Sequence, residues 1–104
     1  LATLSFEKPD PVRFPALAIT RRALEIGGAA PTILNAANEV AVDAFLHDRL
    51  RFTGIVDLVS ATLDAAERRG AVKEPQNVEE AIGVDLMARS LAQDGLREIA
   101  AKAS

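Results

Sequence analysis

The chain has 104 residues, 49% hydrophobic and 26% charged, with twelve Lys and Arg against fifteen Asp and Glu for a formal net charge of -3. That describes one globular domain with a single modest core, too short for two. The charge balance excludes the basic footprint of a nucleic-acid binder. The lack of cysteine excludes a disulfide framework and a thiolate zinc site, and every apolar run breaks well short of the about 18 residues a membrane helix needs.

At the N-terminus, Ala2, Leu4 and Phe6 alternate with Thr3, Ser5 and Glu7, the period of a half-buried strand. A lone strand has no ladder partner and invites edge-to-edge pairing. With Leu1 in place of an initiator methionine, the sequence reads as a piece of a longer one. An isolated piece would then be open to self-association through residues 2–7. No signal peptide is visible, so a cytoplasmic protein is the default.

Pro9, Pro11 and Pro15 follow. Each fixes its own φ, removes a donor and pushes the preceding residue toward extended backbone. Residues 1–14 therefore read as an extended Pro-rich arm and residues 15–104 as the helical domain it enters. Pro15 suits a first helical turn, where its missing N–H would be unpaired anyway.

The first helix is predicted over Pro15–Ile26, because Ala16, Ile19, Ala23 and Ile26 recur at spacings of three and four. Gly27-Gly28 stops it. A second helix starts at Pro31 or Thr32 and ends around His47–Arg49. Its stripe is Ile33, Ala37, Val40 and Ala44, with Leu34, Ala41 and Phe45 beside it. Thr53 is expected to cap a third helix through its hydroxyl. That helix has a face of Ile55, Val59, Thr62 and Ala66, with Val56 and Leu63 alongside. Arg68 and Arg69 complement its dipole, and Gly70 closes it. Asn77-Val78-Glu79-Glu80 resembles a capping box and starts a short turn. A final helix is predicted from about Gly83 to Lys102, with Val84, Ala88, Leu91 and Ile99 on its apolar side and an Asp85–Arg89 pair on its surface. The fold class is all-α: a four-helix-bundle-like domain preceded by an extended arm.

Catalytic chemistry is hard to find. His47, the one histidine, lies at a helix end beside Asp48 and Arg49, where a solvated or structural role is expected. It shares a helix face with Asp43, four residues away, close enough for a surface hydrogen bond. A zinc site built from histidines is impossible with one of them. "IGGAAP" lacks the lysine and preceding strand of a phosphate loop, no G-x-G-x-x-G occurs, and no serine lies in a nucleophile-elbow motif. Catalytic, cofactor-binding and metal-binding residues are therefore all read as none.

One puzzle remains in "PTILNAANEVAVDAFL", residues 31–46, where an apolar helix carries Asn35, Asn38 and Glu39. Asparagine competes for backbone hydrogen bonds and is a poor helix former. Asn38 falls in the row of Leu34, Ala41 and Phe45, so it is expected to point partly inward. An unpaired buried amide costs about 1–3 kcal/mol. The reading is that Asn35, Asn38 and Glu39 tie the arm to the bundle, with Arg13 as the partner of Glu39.

"FEKPDPVRFPAL", "GGAAPTILNAANEVAVDAFL" and "RFTGI", in that order, resemble the C-terminal part of the 1-deoxy-D-xylulose 5-phosphate reductoisomerase family. "EPQNVEEAIGVDLMAR" fits more loosely. The resemblance spans nearly the whole chain and implies an NADPH-dependent enzyme using Mg²⁺ or Mn²⁺. That enzyme makes 2-C-methyl-D-erythritol 4-phosphate in non-mevalonate isoprenoid synthesis. It also implies that the nucleotide, metal and substrate residues lie upstream, in N-terminal and catalytic domains absent from this sequence. The chain is then a bracing domain, inactive alone, whose partners are those domains. A stand-alone helical interaction module is the alternative; an independent small enzyme has almost nothing behind it.

Overall fold

A computed structural model describes residues 15–103. Four helices, α1 (Pro15–Ile26), α2 (Ala30–Leu46), α3 (Phe52–Arg68) and α4 (Val78–Ala103), account for most of them, and no strand occurs among the described residues. The arm, with Arg13 and the 2–7 segment, lies outside the described residues.

α2, α3 and α4 pack on one another, and α1 leans on α2 and α3 without reaching α4. The centre is small and dense. Ile33 of α2 and Leu58, Thr62 and Leu63 of α3 are the largest fully buried side chains, surrounded by Ala36, Ala37, Ala41, Ala44, Ala66, Ala88 and Ala92. Alanine at so many facing positions lets the helix axes approach closely. At Gly95 a Cβ would come within 2.9 Å of Leu58 Cδ1, so a side chain there would push the tip of Leu58 aside at the α3–α4 contact. The hydroxyl of Thr62 donates to Leu58 O at 2.8 Å, which satisfies the core's one buried polar side chain among the described residues.

The connections follow from local chemistry. α2 and α3 both end in the two-bond arrangement that a left-handed residue permits. Asp48 (φ 59°) and Gly70 (φ 67°) supply that conformation. Arg49 N–H then donates to Ala44 O, and Ala71 N–H to Ala66 O. Gly28 does more than end α1. It has φ 55°, and a Cβ there would collide with Val72 O. That carbonyl accepts from Ala29 N–H at 2.9 Å, joining the α1–α2 turn to the α3–α4 loop.

α2 starts just before the expected Pro31 and ends just before the expected His47, and the starts of α3 and α4 also differ. Thr53 does not cap α3: it is the second residue inside the helix, whose N-cap is the extended Arg51 with no side-chain cap bond. α4 does not wait for Gly83. Asn77 Oδ1 accepts from Glu80 N–H at 2.8 Å, and Glu80 Oε1 accepts from Gln76 N–H at 2.7 Å. This reciprocal cap starts a helix that runs through Gly83, since one exposed glycine costs only about 1 kcal/mol.

Candidate interaction surface

α1 buries little. Among residues 16–26 only Ala23 is fully covered, Ile19 and Ile26 are partly buried, and Leu17 and Leu24 are 53% and 67% exposed. Where α1 stands off its neighbours, an open apolar groove of about 430 Å³ remains. Its walls are Ala16, Ile19 and Leu24 of α1, Pro31 and Leu34 of α2, and Ile55, Val56 and Val59 of α3. Thr20, Asn35 and Asn38 are its polar groups.

Asn38 is exposed and lines this groove, so its expected inward orientation is corrected. Of that row Ala41 is fully buried, whereas Asn38 faces the gap that α1 leaves open. Leu34 is only half-buried, and Phe45 meets the ring of Phe52 edge-on at a centroid distance of 5.7 Å. Asn35, also exposed, donates from Nδ2 to Glu39 Oε2 at 3.2 Å. The same oxygen accepts from Arg89 Nη2 at 3.0 Å, and Arg89 Nε donates to Asp85 Oδ2 at 2.8 Å. Glu39 thus bridges α2 to α4 through an arginine fifty residues away. Asp85 first and Glu39 second raise the Arg89 pKa above its ordinary value by hydrogen bonding. The expected Asp85–Arg89 surface pair is present. Glu39 Oε1 has no partner among the described residues, and Arg13 lies outside them.

On the other side of the groove, Arg22 of α1 pairs with Asp64 at 2.6 Å and with Glu67, both on α3. The hydrogen bond to Asp64 raises its pKa most, against a smaller opposing desolvation. His47 Nδ1 donates to Asp43 O at 2.8 Å and stays on the surface. Among the described residues, no three or more His, Cys, Asp or Glu gather as a metal would require. The described residues also contain no strand-to-helix phosphate loop. No helix of the described residues is long and apolar enough to cross a membrane.

The described residues form a small helical domain with an open apolar groove on one flank. Comparison with known proteins gives the family. The description "DXP reductoisomerase C-terminal domain" matches residues 1–91, and the chain belongs to that family. It is 58% identical over 104 residues to the 1-deoxy-D-xylulose 5-phosphate reductoisomerase of Afipia carboxidovorans, covering all of this chain and 26% of that protein. To the reductoisomerase of Burkholderia mallei it is 51% identical over 92 residues, or 88% of this chain and 22% of the other. Among solved structures it is similar to the Zymomonas mobilis reductoisomerase in complex with NADPH. That match has a TM-score of 0.76 and 38% identity, over 86% of this chain and 23% of that one. The chain spans about a quarter of the length of these relatives.

Proposed function

We propose that the chain is the C-terminal supporting domain of a cytoplasmic reductoisomerase. That enzyme takes 1-deoxy-D-xylulose 5-phosphate to 2-C-methyl-D-erythritol 4-phosphate with NADPH and Mg²⁺ or Mn²⁺ held by its other domains. The observation that carries this is the coverage: 86% to all of the chain is matched by these relatives, yet it accounts for about a quarter of each. Residues 15–104 form the supporting domain, and residues 1–14 are the arm that connects it to the rest. Asn35 and Asn38 contact the arm from the groove, and the open Oε1 of Glu39 takes Arg13. Such a domain acts by holding a neighbouring site within a fraction of an ångström of its working geometry.

The test is to express the parent protein ending just before Leu1 and follow NADPH oxidation with 1-deoxy-D-xylulose 5-phosphate and Mg²⁺. The truncated protein is expected to be silent alone, to regain part of its activity with this chain in excess, and to be fully active with the chain fused back. Full activity of the truncated protein by itself would overturn the supporting role.

A further inference from the structure

The groove between α1, α2 and α3 has a shape and chemistry that select an extended peptide. Its walls are aliphatic, and of its three polar side chains two already donate a hydrogen bond within the bundle. Thr20 Oγ1 donates to Ala16 O at 2.9 Å, and Asn35 is held by Glu39. Asn38 has no hydrogen-bond partner among the described residues. A primary amide offers both donors and an acceptor, the set that pairs with the N–H and C=O of an extended backbone.

We propose that this groove is filled by the chain's own arm, with Val12 and Phe14 on its apolar walls and Asn38 holding the arm's backbone. The proposal rests on the reading of residues 1–14 as an arm, and it names the seat. Val12 and Phe14 are two residues apart, so an extended chain presents them on one face. Prolines 9, 11 and 15 disfavour helix in this stretch and reduce the entropy lost on ordering it. The groove begins at Ala16, the second residue of α1. Phe14 is two residues from that wall and Val12 four, within roughly 13 Å of it at about 3.3 Å per residue. A tether this short holds the segment near the groove at an effective concentration of order millimolar. A second copy or a separate partner would have to compete with that.

The sequence has no cysteine, so an introduced pair reports cleanly. Val12→Cys combined with Val56→Cys is compared with Val12→Cys combined with Gln93→Cys, on the distant α4, both in the 104-residue chain under mild oxidation. The first pair is expected to close an intramolecular disulfide about tenfold faster than the second. Adding Phe14→Ala is expected to slow that closure several-fold while leaving the helical circular dichroism unchanged. Equal rates for the two pairs would overturn the proposal. So would a predominance of disulfide-linked dimers, which would place a second copy in the groove. Neither readout depends on enzyme activity, so this seat can fail while the supporting role stands, and the reverse.

Discussion

α3 and α1 carry similar helical patterns and end up in different environments. α3 lies between α2 and α4 and buries Leu58, Val59, Thr62, Leu63 and Ala66, with Gly54 at its start. α1 packs on α2 and α3 and, among residues 16–26, fully buries Ala23 alone. What separates them is the number of neighbours rather than the amphipathic pattern. A helix covered on two sides buries a wide arc, whereas one resting on an edge buries a narrow stripe. The lesson is that α2, α3 and α4 form the stability core, and α1 is a flank whose uncovered side is available for recognition.

That contrast can be broken at several points. Leu58→Ala removes a fully buried side chain from the centre of α3 and should cost about 3–4 kcal/mol. Ile19→Ala on α1, only partly buried, should cost about 1 kcal/mol. Urea unfolding midpoints at constant m-value measure both, and equal losses would erase the distinction between core and flank. Gly28→Ala should fall between them, at about 2–3 kcal/mol, because it combines a positive φ with a collision at Val72 O. Its damage should appear in thermal unfolding as a shift of the whole transition, since the turn it guards is tied to the α3–α4 loop.

Smaller effects sharpen the picture. Asn77→Ala removes the acceptor for Glu80 N–H at the start of α4 and should cost about 1 kcal/mol. Amide exchange should speed up at residues 78–81 and stay unchanged in α1. Arg22→Gln, which cuts the α1–α3 ion pairs, should cost no more than about 0.5 kcal/mol, because Arg22 is 38% exposed and its partners are similarly open to solvent. The loss should vanish in high salt. A larger, salt-insensitive loss would mean that charge rather than packing fastens α1.

The helices themselves were legible in the sequence. The Pro15–Ile26 limits and the α2 stripe of Ile33, Ala37, Val40 and Ala44 appear in the structure as read, because proline, glycine and apolar spacing act locally. The missed residues are those whose fate depends on neighbours. Leu58 lies outside both the face and the neighbouring row expected for α3 yet is fully buried, because α3 is covered from two sides. Asn38 was read inward and is exposed, because α1 does not close over it. The groove leaves no motif in the sequence, since it arises from what three helices fail to fill. The Glu39–Arg89 contact spans fifty residues, and no local spacing rule reaches that far.

Native-state amide exchange on the 104-residue chain tests the central distinction most directly, by comparing residues 19–24 of α1 with residues 58–63 of α3. The account predicts that α1 exchanges through a partial opening of lower free energy than global unfolding, while the α3 amides exchange only when the whole domain unfolds. Equal opening free energies, both tracking global stability as urea is added, would contradict it and make α1 an integral part of one cooperative four-helix core.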